Sequence, residues 1–315
     1  MMSIHAIPMN GLFDAEYFDI KSNIVNDTFR IFVGKPSGMR TESFYPAIFS
    51  LDGNASFASL LSTQRMLTMG GEVPEAIVVG IGYPGETLGE AMASRNRDYA
   101  PSEPGESEIR ALGAASKPGS EEFLRFIREE LKPLLIEHYP IKVSDSTLIG
   151  VSLGGLFGVW TLLTAPDTFN RYIVASPAIW WRNQQVWQWE EAYASRHNDL
   201  DAVVFMGAGA LEVTEHLRAD ALSIADKNPM LKDHVNSMVN WNDEHGWPEV
   251  AKLVPALVSK LTARDYPSLC IDHKIMSDEN HMSAPPGLSS RGLRYVFGER
   301  LADNKSLNAD TAGAH

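Results

Sequence analysis

Ser152 stands in a stretch arranged for chemistry. In "LIGVSLGGLF", residues 148–157, Gly150 lies two places before it and Gly154 and Gly155 lie two and three places after. Removing side chains from both sides of one hydroxyl suits two arrangements. A strand can turn sharply into a helix and leave the serine exposed as a nucleophile, or a small-residue helix start can simply pack closely. The apolar run before Ser152 reads as a strand and "LFGVWTLLT" after it reads as a helix. In that context Gly150-Val151-Ser152-Leu153-Gly154 fits the G-x-S-x-G nucleophile elbow, whose small neighbours permit a tight, strained turn.

A serine hydroxyl is a poor nucleophile unless a base takes its proton, so the reading demands a histidine on a loop after the last strand. His281, in "MSDENHMSAPPG" (276–287), follows the apolar run "LCIDHKIM" by a few polar residues. The other histidines lie at the termini, inside a helix or strand, or in polar stretches. An acid should fall between serine and histidine in chain order, after the run "AVVFMGAG". Glu212 in "GAGALEVTEH" takes that place and Glu215 is the next choice, while Asp278 and Glu279 sit so close to His281 that they serve better to shape its loop. Acyl transfer also needs donors for a developing oxyanion. The backbone N–H of Leu153 is one, and the N–H of Asn54 in "FSLDGN" (49–54) is the other.

The elements that must position these groups are legible as β-rich runs separated by helical stretches. The runs are residues 28–34, 44–51, 75–82, 146–152, 171–177, 202–209 and 269–276. Several are continuously apolar, as strands covered on both faces are, while the first two are closer to the alternating, antiparallel kind. Residues 120–139 carry Ser120 as N-cap, glutamates in the first turn and apolar residues at helical spacing, with Pro133 expected to kink or divide the helix. Residues 247–265 form a second amphipathic helix with an internal proline. Residues 99–120, rich in Pro, Gly and Ser, read as a surface loop near the strand ends. Alternation of this kind implies an α/β fold: a doubly wound, mostly parallel sheet with helices on both faces. In such a sheet the working groups gather at the carboxyl ends of the strands, where Ser152 falls.

The 315 residues are expected to form a single domain over 1–303, with 304–315 as a disordered tail that has little to bury. A formal net charge of -13, with no basic block to offset it, argues against nucleic acid as a partner. It also disfavours an anionic small substrate unless arginines such as Arg95, Arg97 or Arg182 concentrate at the site. No stretch approaches the roughly 20 apolar residues of a membrane span, and the start lacks a basic-then-apolar leader, so a cytoplasmic location is expected. The lone Cys270 cannot form an internal disulfide. Gly80, Gly82 and Gly85 have G-x-G-x-x-G spacing, but Pro84 opposes the helix start that a dinucleotide needs, and no histidine–carboxylate cluster has metal-ligand spacing. These patterns argue for neither a dinucleotide nor a metal site, and oligomeric state stays open.

Taken in order, "SLDGN" (50–54), "NRDYAPS" (96–102), "IGVSLGG" (149–155), "ASPAIWW" (175–181), "GALE" (209–212) and "DENHMS" (278–283) resemble the esterase-D-like branch of the α/β-hydrolases. Within that branch they resemble especially the esterases related to ferric-siderophore trilactone esterases of the IroE and BesA type. The resemblance implies a serine carboxylic-ester hydrolase using Ser152 and His281, with donors at Asn54 and Leu153, with Arg97 near the pocket and with no metal or organic cofactor for catalysis. Glu212 is the weakest carry-over, since some relatives work with a weak or absent acid. Trp180 and Trp181 follow a strand end, where large rings could line a pocket for an aromatic or bulky ester, or anchor a helix to the core. Two other functions are compatible with the same residues: an acyltransferase, in which another alcohol replaces water, and a ligand-binding protein on an esterase scaffold.

Overall fold

A computed structural model describes residues 4–40, 42–85, 88–112 and 117–312. Nine strands form one sheet: β1 (Ile7–Pro8), β2 (Ala15–Lys21), β3 (Thr28–Gly34), β4 (Tyr45–Ser50), β5 (Ile77–Gly82), β6 (Ile141–Val151), β7 (Arg171–Ala175), β8 (Ala202–Gly209) and β9 (Leu269–Met276). Their order is β1-β2-β3-β5-β4-β6-β7-β8-β9. The pairs from β1 to β5 are antiparallel, and the run β5-β4-β6-β7-β8-β9 is parallel throughout.

Period-two alternation splits the parallel strands between two cores. On β4, Ala47 and Phe49 join the larger core with the helices Leu153–Thr164 and Val250–Thr262, while Ile48 faces the helices Gly53–Met69 and Ala284–Ala312. On β7, Tyr172 and Val174 lie on the first face and Ile173 and Ala175 on the second. Both faces are therefore covered, which is why these strands read as continuous apolar runs.

Four expectations need correction. Residues 44–51 are not an antiparallel strand: β4 is parallel and lies between β5 and β6, and its polar-looking start belongs to the entry of a buried strand. Strand β2, with Ala15, Phe18 and Ile20 inward, lies outside the sequence reading, its charged alternate residues hiding the pattern. Ser120 is not the N-cap of its helix. Gly119 holds that place, and the buried Ser120 hydroxyl donates to the Asp98 carbonyl at 3.2 Å. Residues 99–120 are not merely loop, for Glu106–Leu112 is helical and its Glu108 is buried.

Pro133 stands at the start of a separate helix, so the helical stretch is divided, though the winding of the chain continues. A π-helical turn, Phe126–Leu131, comes immediately before Lys132–His138, so the wider turn falls where the proline ring would meet the preceding backbone. The tail expected from Asn304 falls on residues whose side chains are not described, with backbone helix given to Ala312.

Lys132 is buried beneath this segment. Its Nζ donates to the Thr168 carbonyl and to Ser146 Oγ (3.3 Å), and lies 4.3 Å from the centre of the Phe169 ring. Burial, with a smaller push from Arg128, lowers its pKa to about 8. Because the unfolded lysine holds its proton up to its ordinary value, the folded state gains stability as pH rises from about 8 to 10. The melting temperature of wild type, measured relative to Lys132→Met, should therefore rise across that window; a flat difference would contradict it.

Candidate active site

Strand β6 ends at Val151 and the next helix starts at Leu153, leaving Ser152 as the single residue of the turn, at φ 57° and ψ -118°. A non-glycine residue holds such a backbone only when its surroundings enforce it. A Cβ on Gly150 would lie 2.2 Å from the Gly154 carbonyl oxygen, and one on Gly155 would lie 3.0 Å from Pro177 Cα. The glycines thus let strand, turn and helix backbones approach within contact distance. Two hydrogen bonds to the next strand secure the turn: Ser152 N–H donates to the Ala175 carbonyl (3.0 Å), and Ala178 N–H donates to the Ser152 carbonyl (2.9 Å).

His281 comes from the loop after β9. Asn280 shapes it, its Oδ1 accepting from the N–H groups of Met282 and Ser283 while its own N–H donates to Ser283 Oγ. The ring places Nε2 3.0 Å from Ser152 Oγ and Nδ1 2.8 Å from Glu212 Oε2. Glu212 follows β8 and its carboxylate is buried. Its other oxygen, Oε1, accepts from Ser176 Oγ at 2.6 Å and from the Gly209 N–H at 2.7 Å. Ser152, His281 and Glu212 are therefore joined in one hydrogen-bonded chain, able to pass a proton from the serine to an imidazole whose positive charge a carboxylate would balance.

The alternative acids stand elsewhere. Glu215 is exposed on the helix Thr214–Lys227. Asp278 is exposed at φ 60°, and Glu279 uses its backbone carbonyl to accept from the Leu211 N–H at 3.0 Å.

Asn54 and Leu153 both lie in the first turn of a helix, Gly53–Met69 and Leu153–Thr164, where N–H groups have no carbonyl four residues back to bond. The Asn54 side chain pins its turn to β5, with Oδ1 accepting from Tyr83 N–H (2.8 Å) and Nδ2 donating to Tyr83 O (2.9 Å). This explains Gly82: a Cβ there would meet Asn54 Oδ1 at 2.2 Å. The glycine spacing of β5 serves this packing.

Asp52, just ahead, is in the left-handed region at φ 55°. Arg95 grips its carboxylate with two bonds, 2.6 and 3.0 Å, and lies over the Tyr99 ring, while Asp52 N–H donates to Tyr99 Oη at 3.0 Å. Burial pulls the Arg95 pKa down, but the charge and hydrogen bond of Asp52 outweigh it, so the guanidinium ends above its ordinary value. Burial drives the Tyr83 and Tyr99 phenols well up, so both stay neutral hydrogen-bonding groups.

A cleft of about 540 Å³ opens on Ser152 and His281, lined also by Leu51, Asp52, Met92 and Arg95. Beyond His281 and Met282 a second cleft of about 480 Å³ has Trp180, Leu217, Ile224 and Trp247 on its walls. Trp180 and Trp247 also border a third, of about 580 Å³, with Trp241, Arg182 and Lys252.

Two expected pocket residues are placed differently. Arg97 does not line the cleft with Ser152; it pairs with Asp98 (2.7 Å) and Asp27 (2.9 Å). Two residues apart on the helix Leu88–Asp98 is about 200° of rotation, so Arg95 and Arg97 face opposite ways. Trp181 is 1% exposed and donates from Nε1 to Ser102 Oγ at 2.9 Å, a core anchor, whereas its neighbour Trp180 faces the clefts. Ser176, Tyr99 and the Gly209 N–H are site residues that the sequence reading does not contain. Each lies in a stretch quoted for the resemblance, Tyr99 in "NRDYAPS", Ser176 in "ASPAIWW" and Gly209 in "GALE", but nothing in those stretches gives it a role. Among the described residues no group of three or more His, Cys, Asp or Glu side chains is disposed to hold a metal ion, and no helix is long and apolar enough to cross a membrane.

A mostly parallel sheet with helices on both faces and a serine on a strained strand-to-helix turn is the α/β-hydrolase fold of an esterase. Residues 22–256 match the family profile described as "Putative esterase", and the chain belongs to that family. It is 30% identical over 288 residues to the ferri-bacillibactin esterase BesA of Bacillus subtilis, an alignment covering 86% of each chain. Over 151 residues it is 32% identical to the siderophore enterobactin esterase of Emericella nidulans, covering 44% of this chain and 48% of that one. The crystal structure of the BES protein from Bacillus cereus superposes with a TM-score of 0.69 at 27% identity, covering 94% of this chain and 98% of that one. The chain is thus a carboxylic-ester hydrolase of the IroE and BesA type.

The Asp52–Arg95 pair yields a test. Arg95→Leu would leave a mostly buried carboxylate without its partner, and should cost about 2–3 kcal/mol in urea unfolding, less than a fully buried pair would. Adding Asp52→Asn should recover part of that loss; strict additivity of the two would show that they do not act together.

Proposed function

We propose that the protein hydrolyses esters through a covalent acyl-enzyme formed on Ser152. The hydrogen-bonded chain Ser152–His281–Glu212 carries this reading. His281 Nε2 takes the hydroxyl proton as Oγ attacks the ester carbonyl, and Glu212 holds Nδ1–H and balances the imidazolium. The N–H groups of Leu153 and Asn54 donate to the oxyanion of the tetrahedral intermediate. His281 returns the proton to the departing alcohol oxygen, and a water activated by the same imidazole then releases the acid.

The substrate we infer is a bulky ester of the siderophore kind. Relatives named for ferri-bacillibactin and enterobactin, together with a cleft at Ser152 and His281 that shares wall residues with a second, which in turn shares Trp180 and Trp247 with a third, support that class over a small acyl ester. Trp180 and Trp247 offer apolar faces to large planar arms. Because Arg95 is already paired with Asp52, Arg182 on the wall of the third cleft is the guanidinium that would offset the charge of an anionic ligand. The protein is proposed to act in the cytoplasm on a small molecule, without nucleic acid or membrane.

The test is hydrolysis of p-nitrophenyl acetate and butyrate by wild type and Ser152→Ala, followed by a screen that includes catecholate trilactones. The variant should lose at least about 10³-fold in kcat, the scale set by removing a triad member. Equal rates in both proteins would sink the assignment. Trilactones cleaved no faster than p-nitrophenyl butyrate would sink the substrate class alone.

A further inference from the structure

The turn after β7 joins the nucleophile to the acid. Ala175 and Ala178 hold the Ser152 backbone from both sides, and Pro177 packs against Gly155. Between them lies Ser176, fully buried, at φ 44°, its N–H donating to the Gly207 carbonyl at 2.7 Å. A serine in the left-handed region with no exposure is a strained placement, maintained by its surroundings. Its hydroxyl spends its one proton on Glu212 Oε1, at 2.6 Å.

Glu212 is 1% exposed, and no lysine or arginine bonds to its carboxylate among the described residues. Its charge is offset by three donors: Ser176 O–H, Gly209 N–H and His281 Nδ1. The first two share Oε1. They leave Oε2 as the oxygen that faces the imidazole and prevent the carboxylate from turning about its last bond to present the other.

We propose that Ser176 is a positioning residue of the ester-hydrolysing site, which acts through Glu212 by fixing the rotation of the carboxylate that orients His281. The proposal rests on the reading of Glu212 as the acid of the relay. Without the hydroxyl, Glu212 would keep one donor on Oε1, its buried charge would be less well solvated, and His281 would spend less time with Nε2 directed at Ser152 Oγ.

The experiment is a double-mutant cycle on the full chain, with p-nitrophenyl butyrate as probe: Ser176→Ala, Glu212→Ala and the pair, each with a pH profile of kcat/KM. Ser176→Ala should lower kcat by about tenfold to a hundredfold, the range for a hydrogen bond to a charged group, with KM within about twofold. Its acid limb should move, because the partner of His281 has changed. In the Glu212→Ala background the same substitution should cost nothing further. Ser176→Gly, which relieves the backbone strain while removing the hydroxyl, should lose as much as Ser176→Ala and serves if the alanine variant fails to fold. A Ser176→Gly protein with wild-type kcat and an unmoved pH profile would overturn the proposal, as would losses that multiply in the double variant. If Glu212→Ala itself retains full activity, the reading of the acid fails, and that outcome is distinct from the failure of Ser176 alone.

Discussion

The turn at Ser152 is possible only because three backbones are allowed to touch. Gly150 admits the Gly154 carbonyl, Gly155 admits Pro177, and the hydrogen bonds to Ala175 and Ala178 close the arrangement from the neighbouring strand. A methyl group at Gly150 would sit on a carbonyl oxygen, so strand and helix could not meet at this angle. With the angle set, the carboxyl ends of the parallel strands deliver one part each. β4 leads into the Asp52–Asn54 turn, β6 into Ser152, β7 into Ser176, β8 into Glu212 and β9 into His281. The order of groups across the site is the order of strands in the sheet.

The site handles buried charge in two ways. Around the Asp52 turn, carboxylates are matched by guanidinium groups, Arg95 to Asp52 and Arg97 to Asp98 and Asp27. At Glu212 the matching is done by neutral donors, and among the described residues the only ionisable partner is His281. A fixed cation beside Glu212 would compete for the charge that an imidazolium would need in the proposed proton transfer. Neutral donors hold the carboxylate in place and leave its attraction available to His281.

The segment between β8 and β9 has a different task. The helices Thr214–Lys227 and Lys232–His245 bury a small core of their own, Ala221, Ala225, Val235 and Val239, separate from the two cores that sandwich the sheet. Their Leu217, Ile224, Trp241 and Met238, with Trp247 beyond, supply walls of the clefts next to His281. The sheet therefore carries the groups that can do chemistry, while this insertion and the Trp180 turn set the shape that a substrate meets. Their small core stands apart from those of the sheet, which suits walls that differ between enzymes of one fold.

The groups for ester chemistry were legible in the sequence because each depends on local pattern. A serine between glycines after an apolar run and a histidine after the last such run can be proposed from spacing, and so can the strands β3, β8 and β9 to their end residues, while spacing ranks Glu212 ahead of Glu215, Asp278 and Glu279 without separating them. Strand β2 and the direction of β4 were not, since pairing is a property of two segments and neither announces its neighbour. Arg95 and Arg97, or Trp180 and Trp181, cannot be told apart by composition. Adjacent positions on a turn or helix point to different sides, and only the packed chain decides which side is the cleft. Ser176 shows the same limit most sharply. As a residue type it is an ordinary serine in a turn, and its bond to Glu212 spans 36 positions of sequence. The sequence by itself determined which groups could react; the tertiary structure decided which of them meet, because contact across the sheet depends on strand order and register that no local pattern encodes.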